Sequence, residues 1–316
     1  MTAGKIAGCA LFALMAMSGA AVAQDTKIAI GISGWTGFGP LTLAEKAGIF
    51  KANGLDVTIK KIPQSSRHLA VASGEVQCVA TTIETYLVWN AAGVPIKQIF
   101  QLDKSYGADG IVARPSISSF ADLKGKTVAA DAPGTTEYFG LAWVLAKNGM
   151  SVKDVKIVNL SAGPAAQAFL AGQNDAAWTY EPYLSAVRDK PAVGKILATT
   201  IDYPMVMDTL GCSPAFLDSN PKAAKALTEG YFQALDMIAK DPAKSDEIMG
   251  ADVKQTAAEF ADSAKYLRWV GREDNKKFFE GEFQAFEKQA AELLIAAGVL
   301  KTMPDVATLA DTRFIQ

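Results

Sequence analysis

The chain has 316 residues, of which 50% are hydrophobic and 20% charged, with 31 Lys and Arg against 33 Asp and Glu. That length and apolar content can bury a sizeable core and exceed one small domain, so two globular lobes are expected. A formal net charge of -2 without a long single-sign run argues against nucleic acid or a lipid surface as partner and for a small molecule or a protein.

The first residues read as a secretory signal. Lys5 is the only charged side chain before Asp25, an apolar stretch runs from Ile6 to about Met17, and Ala21-Val22-Ala23 fits the small-x-small cleavage pattern. Residues 1–23 are therefore assigned as a signal peptide, and cleavage after Ala23 would leave a soluble exported chain starting at Gln24. No later stretch of about 18 apolar residues follows, so the exported product is expected to lack a membrane span. Cys78 and Cys212 are its only cysteines, enough for one disulfide and too few for a framework; the sequence leaves their pairing open. His68 is the single histidine, which removes Ser-His-Asp and Cys-His catalytic sets unless His68 itself serves. The turn GWTGFG at 34–39 lacks the GxGxxG order of a dinucleotide site, and neither a cofactor nor a metal is expected.

Along the chain, a strand pattern at 27–30 leads through a Gly-rich turn at 31–37 into a helix carrying Leu41, Leu43, Ala44 and Ala47, and then into a strand at 54–59. Roughly a hundred residues later the order returns: a strand at 126–130, a turn at Pro133-Gly134-Thr135-Thr136, and a helix from Leu141 to Lys147. The match continues. Segment 70–75 corresponds to 169–173, and the following buried-strand patterns, 76–80 and 176–178, end in TIETYL (82–87) and TYEPYL (179–184). Several matches in order make this an internal repeat and predict an α/β protein of two similar lobes, each a mixed sheet flanked by helices. The first lobe is expected to comprise 24–112 and the helical segment 213–316, and the second 113–212. Crossings near 111–114 and 208–212 would act as hinges.

Parallel βαβ units bind ligands beyond the carboxyl ends of their strands. This places the Gly/Thr turns and the Glu-containing turns at a cleft between the lobes. Candidate ligand-binding residues are Trp35, Thr36, Glu84, Asp103, Thr135, Thr136, Trp178, Glu181 and Asp208. Carboxylates held in a closing cleft are costly unless a positive charge or several donors meet them, so Glu84, Asp103, Glu181 and Asp208 point to a cationic or NH-rich group. Glu181, just before Pro182, has the alternative role of capping a helix. Thr135 and Thr136 open a helix whose free N–H groups would suit an anionic end, and Trp35 and Trp178 could sandwich the ligand. Arg67 and Lys104 are the nearest basic residues, but Arg67 reads as solvated surface and no arginine clamp is expected.

The segments LAEKAGIFKANGLDVTIKKI, LAVASGEVQ, SSFADLKGKTVAADAPGTTEYFGLAWVLAKNGM, DVKIVNL, AAQAFLAGQNDAAWTYEPYLSAV and the terminal DTRFI together resemble the taurine/nitrate/sulfonate (NMT1/THI5-like) class of periplasmic binding proteins over nearly the whole exported chain. The resemblance implies the two-lobed type II binding-protein fold, a ligand trapped between the lobes, an ABC permease and its cytoplasmic ATPase as partners, and a monomer. It also matches Asp208 to the acidic residue that holds the amine in taurine binders. Glu84 departs from the small hydroxyl residues usual in sulfonate binders at that place. A small amine-bearing or zwitterionic compound, taurine-like or guanidine/urea-like, is therefore expected over an aliphatic sulfonate, nitrate or a pyrimidine precursor. Pyrimidine-precursor synthases share the fold and form the enzymatic alternative, but their cysteine-rich run is missing here.

Overall fold

The computed structural model describes Met1 and residues 25–315. The proposed signal peptide therefore lies outside the described residues, apart from Met1. Among the described residues, eleven strands form two sheets. They are β1 (Thr26–Ile32), β2 (Leu55–Lys61), β3 (Cys78–Thr82), β4 (Lys97–Ser105), β5 (Asp109–Ala113), β6 (Thr127–Ala130), β7 (Lys156–Asn159), β8 (Ala176–Tyr180), β9 (Lys195–Thr199), β10 (Met207–Cys212) and β11 (Leu267–Trp269).

The repeat legible in the sequence is visible in the strand order. The first sheet runs β2-β1-β3-β10-β4-β11 and the second β7-β6-β8-β5-β9. In each, three parallel strands joined through helices are followed by an antiparallel strand that has crossed from the other half of the chain: β10 beside β3, and β5 beside β8. Central strands such as β3 and β10 are buried along their whole length, as expected where helices cover both faces.

The exchange between lobes lies earlier than 112/113 and 212/213. β5 already belongs to the second sheet and β10 to the first, so the crossings are the short segments after β4 and after β9. They are tied together where Ser105 Oγ meets Thr200 Oγ1 at 2.7 Å and where the Gly107 N–H donates to Thr200 Oγ1 at 2.8 Å. The expected hinge segments are instead mid-strand, where ladder hydrogen bonds hold the backbone.

Most of the C-terminal helices pack on the first lobe. Helix Pro221–Lys240 buries Leu227, Tyr231 and Phe232 in that lobe's core. The last long helix, Phe283–Ala296, behaves differently. It packs both on helix Ile83–Ala91 of the first lobe and on helix Thr136–Lys147 of the second, with Phe286 stacked on Trp143 at 5.7 Å between ring centroids. One apolar cluster thus joins Ile83 and Leu87 to Phe139, Phe283 and Leu294 and forms an inter-lobe wall beside the cleft.

Cys78 and Cys212 stand opposite one another on β3 and β10 and form a disulfide. The crosslink therefore ties an early strand of the first lobe to the strand by which the chain re-enters it.

Candidate functional site

Between the lobes lies a small cavity of about 20 Å³. The first lobe contributes Trp35 and Phe38 from the turn after β1, Gln64 and Arg67 from helix Gln64–Ala72, Thr81 and Thr82 from the end of β3, and Asp208 from the start of β10. Asp109, Thr136 and Tyr180 face them from the second lobe. Carboxyl ends of parallel strands and N-termini of helices surround the space, as βαβ topology dictates.

The lobes are joined across this cavity by short polar contacts. Gln64 Nε2 donates to Thr136 Oγ1 at 2.8 Å, and the hydroxyls of Thr82 and Thr136 lie 2.8 Å apart. Gln64 also reaches Thr81 and Thr85, so three threonine hydroxyls gather around a single amide, and Thr82 bonds two of them.

Acidic groups dominate the electrostatics. Asp109 and Asp208 line the cavity, and Asp208 stands opposite both Thr82 and Asp103 in the sheet. Asp103 lies one layer behind, held by the Trp35 indole, whose Nε1–H donates to Oδ1 at 3.1 Å. The Gly-rich turn is required here because a β-carbon on Gly37 would lie 2.2 Å from Trp35 Nε1 and 2.4 Å from Asp103 Oδ2. Burial, followed by the neighbouring Asp103, Asp109 and Glu84, holds the Asp208 carboxyl well above the usual carboxylate range. Burial likewise raises Asp109, and pushes Asp103 to about 7 and Glu84 to about 8.

Arg67 lines the cavity and is only 1% exposed, which corrects its reading as solvated surface. Its Nε and Nη2 both donate to Ile62 O, at 3.2 and 3.0 Å, and Nη1 donates to Ala80 O. These three bonds leave two of the five guanidinium N–H groups uncommitted. The sequence carried one weak signal of burial: Arg67 occurs three residues before Ala70 and four before Val71, on the helix face that packs inward.

Of the nine candidates, Trp35, Thr136 and Asp208 line the cavity, and Asp103 supports it from behind. Thr36 is buried beside it with its hydroxyl unpartnered. Glu84 is buried at the start of helix Ile83–Ala91 and accepts from Thr82 Oγ1 at 2.5 Å, without reaching the cavity wall. Thr135 serves as N-cap of helix Thr136–Lys147, accepting from the Tyr138 N–H. Trp178 is fully buried in the second lobe's core, so close to the helix above that a β-carbon on Gly140 would lie 2.4 Å from its ring. Tyr180, two residues nearer the carboxyl end of β8, reaches the cavity instead. Glu181 turns away, pairing with Arg188 at 2.6 Å and accepting the Ser185 N–H, which is the capping role. Lys104 pairs with Glu282 on the surface. Gln64, Phe38, Asp109 and Tyr180 are cavity residues that the sequence reading did not select.

The raised carboxyls have a measurable consequence for the unliganded protein. Glu84, ordinarily near 4.5, is raised to about 8, and Asp103, ordinarily near 3.8, to about 7, so the folded chain binds more protons than the unfolded chain between these limits. Stability is then fully present below about pH 4 as far as these groups are concerned, and is lost as pH rises to about 8. The thermal midpoint of the empty protein is expected to fall over this interval, and Glu84→Gln to flatten the fall. A midpoint that rises towards pH 8 in the wild type would contradict it.

Comparison with known proteins agrees with the fold. The alkanesulfonate-binding protein SsuA from Xanthomonas axonopodis pv. citri, bound to MOPS, superposes with a TM-score of 0.76 at 19% identity, covering 92% of this chain and 99% of that one. The nitrate-binding protein NrtA from Synechocystis PCC 6803 gives 0.70 at 18% identity, covering 90% and 84%. The taurine-binding periplasmic protein of Escherichia coli (strain K12) is 26% identical over 228 residues, 69% of each chain. The NMT1/THI5-like family model matches residues 35–245, a span holding every residue that lines the cavity except Ser33. This chain belongs to the NMT1/THI5-like family.

Proposed function

We propose that this chain is the exported solute-binding component of an ABC importer, and that it captures a small amine-bearing or zwitterionic solute by closure of its lobes and delivers it to a permease. The observation that carries the ligand assignment is the charge balance of the cavity. Asp109 and Asp208 face it, Asp103 backs Asp208, and the cation on its wall, Arg67, spends three donors on backbone carbonyls. Closing such a cavity is costly unless the solute brings positive charge and N–H donors. Trp35, Phe38 and Tyr180 supply aromatic walls that suit an organic cation, whereas a bare metal ion would want oxygen ligands all round.

Function as a binding protein rather than an enzyme accords with the curated relative named for binding taurine. Export to an oxidising compartment accords with the signal-like N-terminus and with the Cys78–Cys212 disulfide. A monomeric receptor working with a permease and an ATPase is the arrangement this family membership supports best.

A thermal-shift panel at pH 8 tests the ligand assignment. Guanidinium, urea, taurine, ethanesulfonate and nitrate are compared at equal ionic strength. A ligand that binds only the folded state raises the midpoint in proportion to the logarithm of its concentration over Kd. At least one amine- or amidine-bearing compound is expected to raise it. A response confined to ethanesulfonate or nitrate would refute the proposal.

A further inference from the structure

Three helices point their N-termini at the cleft: Ile83–Ala91 from the first lobe, and Thr136–Lys147 and Ala162–Leu170 from the second. Unpaired N–H groups and the helix dipole make such termini ready sites for an anion. The first two meet directly, through the contact between the Thr82 and Thr136 hydroxyls. Each of these two helices carries a glutamate as its second residue, Glu84 and Glu137. Both side chains are almost wholly buried, at 1% and 2% exposure. Glu84 accepts the Thr82 hydroxyl and sits against its own backbone N–H. Glu137 sits against its own N–H and that of Ala162, the first residue of the third helix, and borders the wider groove that leads to the cavity. Each glutamate leaves one buried carboxyl oxygen, Oε2, without a partner.

We infer that Glu84 and Glu137 are the charge-selectivity determinants of the cleft: they occupy, from within the chain, the helix N-termini that an anionic group would need, and so restrict the ligand to a cation lacking a sulfonate or carboxylate. The inference narrows the reading above, on which it rests, by removing zwitterions. A ligand anion entering beside Thr82 or Thr136 would compete with a carboxyl group already seated there and, at a pH where that group is ionised, meet the repulsion of the unpartnered oxygens. A ligand N–H or ammonium group finds acceptors in the same place. The pairing is pseudo-symmetric, one glutamate at a helix N-terminus in each lobe.

The test uses the exported chain and the variants Glu84→Gln, Glu137→Gln and their combination at a pH of about 9, above the range in which both glutamates titrate, with nitrate, ethanesulfonate and guanidinium as probes in calorimetry and thermal shift. Glutamine keeps the shape and removes the charge, and each single variant serves if the double variant does not fold. Wild type is expected to show no response to millimolar nitrate or ethanesulfonate. The variants are expected to acquire one, with at least a tenfold gain in anion affinity in the double variant. No gain in any folded variant, or anion binding by wild type, would overturn the inference. Taurine binding by wild type, abolished by Asp208→Asn, would overturn it while leaving the amine reading intact.

Discussion

Replacing Asp208 by Asn is expected to weaken the amine- or amidine-bearing ligand at least about 30-fold, equivalent to about 2 kcal/mol or more, when measured by calorimetry at pH 8. The side chain lines the cavity, is 3% exposed and stands second in the strand that re-enters the first lobe, so its carboxylate is both dry and fixed in place. In the complex, loss of the charge would leave a desolvated cation without its partner, which is why the expected penalty exceeds that of a surface pair. The unliganded variant should be at least as stable as wild type, because a carboxyl crowded by Asp103, Asp109 and Glu84 has been neutralised. Those opposite signs distinguish a binding role from a structural one. Unchanged affinity would remove Asp208 from the ligand's charge partners. Glu84, which lies behind the cavity wall, should affect affinity less than Asp208 does.

Loss of the disulfide is expected to have an effect of similar size on folding. The bond spans 134 residues of sequence and closes the first lobe around the whole second lobe. In the chain-entropy picture, opening a loop of that size costs about 2–5 kcal/mol. The double variant Cys78→Ser, Cys212→Ser should therefore melt roughly 5–15 °C below the oxidised protein, and reductant should lower the wild-type midpoint by a similar amount. Both cysteines are fully buried between β3 and β10, so two serine hydroxyls placed there add a cost of their own. Cys78→Ala, Cys212→Ala separates the two contributions. A midpoint insensitive to all of these changes would show that the crosslink adds nothing to the ladder that already joins β3 to β10.

The two lobes were legible because a repeated β-turn-α-β order leaves its trace in apolar periodicity and in glycine and threonine turns, as at 31–37 and 133–136. Strand ends were legible for the same reason, which is how Trp35, Thr136 and Asp208 could be placed at a cleft. Sequence position alone did not tell how far each side chain reaches. Trp178 and Tyr180 lie on one strand, two residues apart, and only the depth of β8 within its lobe decides that the tyrosine meets the cavity and the tryptophan the core. Glu181 looked equivalent to Glu84, yet a nearby Arg188 draws it away from the cleft.

Arg67 shows the limit most clearly. A basic residue in a polar stretch looks solvated until the folded chain brings the carbonyls of Ile62 and Ala80 to it, and those come from the residue that follows β2 and from the middle of β3. The sequence by itself determined the two-lobed α/β architecture, the family resemblance and an acidic cleft, since local periodicity and residue chemistry are carried by neighbours in the chain. Tertiary structure alone decided which acids share the cavity, that Cys78 meets Cys212, and that the final long helix bridges both lobes. Each of these depends on contacts between segments far apart in sequence, and no local pattern encodes the distance between them.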